Sequence, residues 1–199
     1  MADPPDRWTA LGFTVTEATI RLGGVSIELG AAGHGITGWQ MSGVSAVGAI
    51  DGLPTELADD AAPPGSDEHP NGAVGLDHVV VLTPDFDRTA AELVCAGLPL
   101  RRVRQLPAGP RQGFRRLGPA ILELVESPDA DGGPARFWGL VVTVADLDRL
   151  AADLGERLGA VKSAVQPGRQ IATLRPSAGL TEAVAFMSPE PVQPSATLA

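Results

Sequence analysis

Cysteine and tyrosine are almost or wholly missing from this chain of 199 residues. Cys95 is the single cysteine, which excludes an intrachain disulfide, a thiolate zinc cluster and a redox pair. The lack of tyrosine excludes any mechanism that uses a tyrosine as acid or nucleophile. Cys95 follows Val94 near the apolar face of a helical pattern, so we predict a buried, unreactive thiol.

Long apolar runs and excess positive charge are missing too. Apolar runs such as residues 79–82 are far too short to cross a bilayer, and residues 1–6 lack the features of a secretory signal. The net charge is -9, and residues 1–75 hold ten acidic residues against two arginines, a balance that repels a nucleic-acid backbone. We therefore expect a cytoplasmic protein with neither a membrane nor a nucleic acid as partner.

Composition divides the chain into segments. Residues 1–53 are rich in glycine and β-branched residues, and two short alternating stretches around Gly23-Gly24 predict a β-hairpin. Residues 54–74 are acidic and proline-rich, which predicts an exposed linker. Residues 189–199 offer too little apolar surface for packing and predict a disordered tail. The remaining part, residues 75–188, is expected to be the main folded domain.

This main domain contains an internal repeat. Residues 78–93 and 139–154 are identical at eight of sixteen positions, at a constant spacing of 61 residues. The match continues loosely, because Arg111-Gln112 recurs as Arg169-Gln170, 58 residues later. We infer that the domain consists of two copies of one module.

The two modules, residues 75–127 and 135–188, predict the same order of elements. Each opens with an apolar, β-branched strand, followed by an aspartate that can cap a helix (Asp85 or Asp146) and by an amphipathic helical pattern. Val94 is among the residues predicted on the apolar face of the first helix. Three strand-like stretches follow each helix: residues 100–106, 113–117 and 120–126, and residues 160–165, 171–174 and 183–187. The predicted fold class is α+β, with two tandem βαβββ modules forming a cupped mixed sheet behind an N-terminal hairpin.

The first module opens with LDHVVV at residues 76–81 and closes with ILEL at residues 121–124. A duplicated unit with these ends resembles the vicinal oxygen chelate superfamily, which includes glyoxalase I, extradiol dioxygenases and the bleomycin and fosfomycin resistance proteins. The resemblance implies a cup that holds a divalent metal on the first and last strands of each module. It makes His78 and Glu123 the expected metal ligands, suited to Zn, Fe, Mn, Co or Ni. Glu123 is also the expected catalytic residue, as a proton shuttle.

The second module lacks both matching ligands. Gly139 stands at the position of His78, and Ala185 stands opposite Glu123. An open metal site usually has three protein ligands, so the site looks incomplete and a third ligand has to come from elsewhere. The candidates for this third ligand are Glu28, Glu126, His34 and His69. The alternative interpretations are a turn residue for His34 and a solvated linker residue for His69.

Arg116 and Trp138 are the predicted substrate-binding residues. Alternate residues of a strand point to opposite faces, so only one of Arg115 and Arg116 points inward, where an arginine would select an anionic substrate. Trp138 precedes the first strand of the second module, where its ring can stack on a planar ligand. The alternative readings are an ordinary surface arginine and a tryptophan that packs at the rim of the cup.

The resemblance leaves more than one function open. One is a metal-dependent lyase, isomerase or dioxygenase that acts on a substrate with two adjacent oxygens. Another is a metal-free small-molecule-binding protein of the bleomycin-resistance type, in which Gly139 and Ala185 make room for an apolar ligand. The third is a structural role, in which the second module serves only packing or partner binding. Both modules lie in one chain, so a monomer as well as a homodimer can form the cup.

Overall fold

The computed structural model describes residues 1–45, 48–58, 65–106, 109–127 and 132–191. Three α-helices lie in these ranges: α1 (Pro5–Thr9), α2 (Phe86–Cys95) and α3 (Leu147–Leu154). The strands are β1 (Thr19–Leu22), β2 (Val25–Glu28), β3 (Trp39–Met41), β4 (Gly48–Ile50), β5 (Leu53–Leu57), β6 (Ala73–Thr83), β7 (Arg102–Gln105), β8 (Arg111–Leu117), β9 (Ala120–Glu126), β10 (Arg136–Val144), β11 (Lys162–Ser163), β12 (Gln170–Thr173) and β13 (Ala183–Met187). None of the helices in this part of the chain has the length and apolar character that a membrane crossing requires. Most of the predicted tail, residues 192–199, falls outside the described residues.

One mixed sheet of eight strands runs through both modules, in the order β11-β12-β13-β10-β6-β9-β8-β7. In each module the first strand pairs in parallel with the last, β6 with β9 and β10 with β13. The two first strands, β6 and β10, pair antiparallel where the modules meet. One half of the sheet therefore repeats the order of the other, which confirms the predicted α+β fold of two tandem βαβββ modules.

The two long helices begin where the sequence predicts. The Asp85 carboxylate accepts the backbone N–H of Arg88 at 3.0 Å, and the Asp146 carboxylate accepts that of Arg149 at 2.9 Å. Each aspartate thus satisfies a backbone donor that has no partner within the helix. The matching aspartates of the repeat fix the start of α2 and of α3 in the same way.

The end of α2 differs from the prediction. Val94 is 58% exposed, and Cys95 is exposed as well. The buried side of α2 consists of Phe86, Thr89 and Leu93. With about 100° of rotation per residue, Cys95 lies on the opposite side of the helix from Phe86. The predicted burial of Val94 and of the Cys95 thiol is therefore wrong.

Both module helices pack on one face of the sheet, which we call the helix face. Leu93 of α2 packs in one hydrophobic cluster with Leu122 of β9, and Leu150 of α3 packs in a second cluster with Leu140 of β10. Val79 of β6 contacts both clusters and pairs with both Leu122 and Leu140, so the two clusters share one face. We call the opposite face the cup face.

The N-terminal segment also packs on the helix side. The predicted hairpin is confirmed as β1 and β2, which pair antiparallel around Gly23-Gly24. Its residues Ile20 and Leu22 are completely buried in the cluster around α3. Ile50 and Leu53, which flank the turn between β4 and β5, join the cluster around α2. The N-terminal segment is thus part of the same hydrophobic core as the two modules.

Part of the predicted linker is folded. Residues 53–57 form β5, which pairs with β3 and β4 in a separate three-stranded sheet. His69 is only 8% exposed: its Nδ1 accepts the backbone N–H of Thr14 at 3.0 Å, and its Nε2 lies 3.0 Å from the Arg21 carbonyl. Both ring nitrogens therefore hold the backbone, and the prediction of a solvated His69 is wrong. Residues 59–64 of the predicted linker lie outside the described residues.

Cross-strand pairing aligns the residues of the cup face in rows. The first row runs from β10 to β7 through Gly139, Val80, Glu123, Phe114 and Arg102. The second row contains Ala185, Val141, His78, Ile121 and Arg116. The expected site residues of the first module are therefore neighbours on one face, beside the Gly139 and Ala185 positions of the second.

Gly139 is fixed by the close approach of the neighbouring strand. A Cβ atom at this position would lie 2.2 Å from the carbonyl oxygen of Ala183.

We predict that Gly139→Ala lowers the free energy of unfolding by about 2 kcal/mol or more, because the backbone of β13 has to shift. Gly75→Ala in β6 is the matched control, since a Cβ there meets nothing within 4 Å, and we expect a change of less than about 1 kcal/mol. Urea denaturation measures both, and equal effects would contradict this explanation of Gly139.

Candidate functional site

The site depends on an irregularity in β6. Val141 of β10 pairs with His78, but the next residue, Val142, pairs with Leu76, so Asp77 is an extra residue in β6. Such a β-bulge interrupts the alternation of side chains along a strand. Leu76 and Val79 both pack on the helix face, and the side chains of Asp77 and His78 between them lie on the cup face. A regular strand would have placed Asp77 and His78 on opposite faces.

A continuous set of hydrogen bonds and ion pairs crosses the cup face, and we call it the polar chain. It consists of Arg104, Gln112, Glu123, His78, Asp77 and Arg169. At its centre the His78 ring contacts two carboxylates: Nδ1 forms a hydrogen bond with Asp77 at 2.8 Å, and Nε2 forms an ion pair with Glu123 at 3.2 Å. Both ring nitrogens of His78 are therefore engaged.

The outer members of the polar chain complete the contacts of the two carboxylates. On one side Gln112 donates to Glu123 at 3.1 Å and accepts from Nε of Arg104 at 2.6 Å. On the other side Arg169 lies 2.7 Å from Asp77 and donates its Nε–H to the Ser188 carbonyl at 2.8 Å. Because Arg169 and Ser188 belong to the second module and Asp77 to the first, this ion pair also ties the two modules together.

The centre of the polar chain is shielded from water. The side chains of Arg169, His78, Asp77 and Glu123 are only 6%, 9%, 13% and 15% exposed. Burial disfavours the imidazolium form of His78, but the hydrogen bonds and charges of Asp77 and Glu123 outweigh it and raise the pKa of His78 to about 9. Burial likewise opposes the ionisation of Asp77, but His78 and Arg169 outweigh it and lower the pKa of Asp77 to about 2. At neutral pH, therefore, His78 is an imidazolium ion and Asp77 is a carboxylate.

The residues of this site do not fit the divalent metal that the fold family implies. A metal ligand must offer an unprotonated nitrogen, whereas both nitrogens of His78 bond carboxylates. Two cations, His78 and Arg169, already balance the two carboxylates, so no excess negative charge is left for a cation. Among the described residues no group of three or more histidine, cysteine, aspartate or glutamate side chains is arranged to hold a metal.

The predicted sources of a third ligand lie elsewhere. Glu126 accepts from Arg111 at 2.8 Å, and that arginine stacks on Phe86 on the helix face. His69 bonds the backbone of the N-terminal segment, as described above. Glu28 and His34 are exposed, and neither has a side-chain contact with the polar chain. None of these four predicted candidates completes a metal site with His78 and Glu123.

Both predicted substrate-binding residues, Arg116 and Trp138, are exposed on strands of the eight-stranded sheet. Arg116 pairs with Ile121 in the row of His78 and is exposed, so it is the member of the Arg115 and Arg116 pair on the cup face. At Trp138 the pairing of β10 with β6 shifts. Phe137 belongs to the helix-face cluster around α2, whereas Trp138 is 44% exposed. Both predicted side chains are therefore accessible to a ligand.

Sequence reasoning missed Asp77, Gln112 and Arg169. Asp77 stands in the quoted LDHVVV stretch, but strict alternation would have turned it to the other face. Gln112 and Arg169 belong to the Arg-Gln pair that recurs in the two modules, but the two copies of the pair are oriented differently in the sheet. Gln112 is the cup-facing member of the first pair and Arg169 that of the second. A register offset of one residue reverses the two faces of a strand.

The charge of His78 predicts a pH dependence of stability. Its folded pKa of about 9 lies above the ordinary histidine pKa of 6.5, so its stabilisation is fully present below about pH 6.5 and is lost as pH rises through 9. The full effect is on the order of 3 kcal/mol. We expect the difference in unfolding free energy between wild type and His78→Gln to shrink by about this amount between pH 6 and pH 10. Urea denaturation at each pH measures this, and a constant difference would contradict an imidazolium at His78.

Comparison with known proteins agrees with the fold. No protein-family model matches the chain, and no curated protein matches it in sequence. Methylmalonyl-CoA epimerase from Mycobacterium tuberculosis is similar in structure, with a TM-score of 0.50 and 20% identity over 60% of this chain and 91% of that one. A hypothetical protein from Bacillus halodurans has a TM-score of 0.48 and 17% identity, over 60% and 97% of the two chains. A variant of Streptomyces coelicolor methylmalonyl-CoA epimerase has a TM-score of 0.49 and 19% identity, over 61% and 99%.

The similarity to the Mycobacterium tuberculosis enzyme supports the glyoxalase-like fold that the sequence predicts. At 20% identity the similarity concerns the fold and does not extend to the activity. It agrees with the strand order of the eight-stranded sheet and with the repeat in the sequence. The chain therefore has the fold of the vicinal oxygen chelate superfamily, as its duplicated modules predict.

Proposed function

We propose that this protein binds a small molecule on the cup face without a metal ion. The observation that carries the proposal is the polar chain, in which His78 bonds Asp77 and Glu123 through both ring nitrogens. The second module adds no metal donor, because its matching positions are Gly139 and Ala185. Of the three readings that the sequence left open, this geometry favours the metal-free binding protein.

The ligand is proposed to lie over the first module. On the second module Val141, Ala185 and Met187 form a small buried cluster, with Ala164 and Ile171 packed against it. The side chains of the second module therefore fill their own half of the cup face, and Ala185 does not leave the room that we expected. By contrast, Arg116 of the first module and Trp138, at the start of the second module beside β6, are exposed, so we place the accessible surface over the first module.

Glu123 is the proposed contact between the ligand and the polar chain. Its side chain is 15% exposed, with Oε1 accepting from Gln112 and Oε2 facing His78. A carboxylate oxygen can accept more than one hydrogen bond, so Glu123 can still accept from a hydroxyl or amide of a ligand. Its role as a catalytic proton shuttle, in a lyase, isomerase or dioxygenase, stays a prediction that no contact on the cup face supports directly.

The name of the similar Mycobacterium tuberculosis protein suggests the first compounds to test. That protein is a methylmalonyl-CoA epimerase, so acyl-coenzyme A thioesters belong in a screen of this chain beside small organic acids and flat aromatic compounds. Trp138 offers an indole face to the last class, and stacking on aromatic rings is a common mode of binding flat molecules.

We expect protein purified without chelator to contain less than about 0.1 equivalent of divalent metal per chain, because the described residues form no three-ligand site. Elemental analysis measures the metal, and unfolding with and without chelator should give the same midpoint.

In the same preparation, a screen by NMR chemical shifts should find a compound that perturbs Glu123 and the Trp138 indole. Glu123→Gln and Trp138→Ala should each weaken its binding about tenfold, through a lost charged hydrogen bond or a lost stacking contact.

Glu126→Gln is the matched control for Glu123→Gln. It removes a carboxylate from the same strand, but from the helix face, where the carboxylate pairs with Arg111. This control should leave ligand binding unchanged. The proposal fails if the protein retains about one equivalent of metal that His78→Ala releases, or if every compound found binds away from the cup face.

A further inference from the structure

The hairpin of β7 and β8 concentrates positive charge in an acidic protein. Residues 101–117 contain six of the 15 basic residues and no acidic residue, although the whole chain carries a net charge of -9. All six are arginines, whose planar guanidinium groups match the oxygens of carboxylates and phosphates. The cup face of this hairpin adjoins the proposed ligand position, so the orientation of each arginine decides what it can bind.

Three of the six arginines lie on the cup face. Arg102 pairs with Phe114, Arg104 pairs with Gln112, and Arg116 follows Phe114 by two residues on the same strand. Side chains two residues apart on a strand, or directly paired across strands, share a face. Contacts confirm this placement for Arg104, which bonds the Gln112 side chain and whose guanidinium lies 5.2 Å from the centre of the Phe114 ring. Arg102 and Arg116 are neighbours of the same phenylalanine by strand register, and Phe114 itself pairs with Glu123.

These three arginines lack counter-ions within the described part of the chain. The other cup-face arginine of the polar chain, Arg169, pairs with Asp77, and Arg111 on the helix face pairs with Glu126 and Asp87. None of Arg102, Arg104 and Arg116 forms an ion pair with a described carboxylate. Arg104 is half-buried, and its Nε is bonded to Gln112, whereas its two terminal nitrogens have no hydrogen-bond partner in the described part of the chain. A partly buried guanidinium held in place with free donors is a prepared site for an anion.

We propose that Arg102, Arg104 and Arg116 bind an oxyanion group, carboxylate or phosphate, of the small molecule that occupies the cup face. This inference rests on the proposed function and specifies the class of ligand: an anion whose charged group lies over Phe114 and whose remaining part reaches toward Glu123 and Trp138. Gln112 links the two regions, because it bonds Arg104 on one side and Glu123 on the other.

Isothermal titration calorimetry with inorganic pyrophosphate and with succinate tests the inference on the full chain at low salt. We expect one saturable site for at least one of these anions, and the pair distinguishes a phosphate from a carboxylate preference. Arg104→Gln should weaken binding about tenfold, and Arg102→Gln and Arg116→Gln should each weaken it severalfold, because each removes charge-assisted hydrogen bonds. Unchanged thermal midpoints will establish that the variants remain folded.

Arg101→Gln is the matched control. It removes the same charge from the same hairpin, but Arg101 is the neighbour of Arg102 and falls on the opposite side by alternation. It should change binding less than about twofold, as expected for a screened surface charge. Equal weakening by all four variants would indicate diffuse positive charge and overturn the site, as would the lack of saturable binding by either anion.

The outcomes separate this inference from the proposed function. If the compound screen finds a ligand at Glu123 while neither anion binds the arginines, only the oxyanion site is wrong. If the anions bind the three arginines while every screened compound avoids Glu123 and Trp138, the proposed ligand position is the part that fails.

Discussion

The extra residue in β6 determines how the cup face of this protein is built. Because Asp77 interrupts the alternation of the strand, its carboxylate and the His78 ring come to lie on the same face, 2.8 Å apart. Without the bulge, His78 would face Glu123 alone, and Arg169 would have no carboxylate beside it. The bulge therefore produces the polar chain, the link between the modules and the charge of His78 together.

The polar chain occupies the place where the fold family would lead one to expect a metal ion. At its buried centre two carboxylates alternate with two cations, His78 and Arg169, and each carboxylate has at least two partners, so the buried charges compensate one another. Such a network is costly to break, since removing one member leaves a buried charge unpaired. The two positions of the second module that lack a metal ligand are explained by packing. Gly139 is fixed by the neighbouring backbone, and Ala185 completes a small apolar cluster.

Much of the fold could be predicted from the sequence because the repeat carries its own punctuation. Asp85 and Asp146 mark the helix starts, and the strand-helix-three-strand order follows from hydrophobic periods that differ between strands and helices. The side of α2 was less predictable: Thr89 rather than Val94 completes its buried face, which turns Cys95 outward. Burial of His69 depends on contacts with a hairpin distant in sequence, which no local pattern reveals.

The site was predictable only in part. His78 and Glu123 were placed by resemblance, and the structure brings their side chains within 3.2 Å of each other. Asp77 could not be placed, because a bulge depends on the pairing of β6 with β10 and is invisible in the strand itself. Arg169 was visible as the repeat of Arg111, but a one-residue change of register gave the two copies different faces and different partners.

The central claim is that His78 is an imidazolium ion held between two carboxylates. The nitrogen chemical shifts of the His78 ring test this claim most directly. In protein labelled with ¹⁵N-histidine, at neutral pH, the account predicts that both ring nitrogens of His78 carry protons and that one equivalent of Zn²⁺ leaves their shifts unchanged. A neutral ring with one unprotonated nitrogen, or a nitrogen whose signal moves to a metal-bound position on adding Zn²⁺, would contradict it.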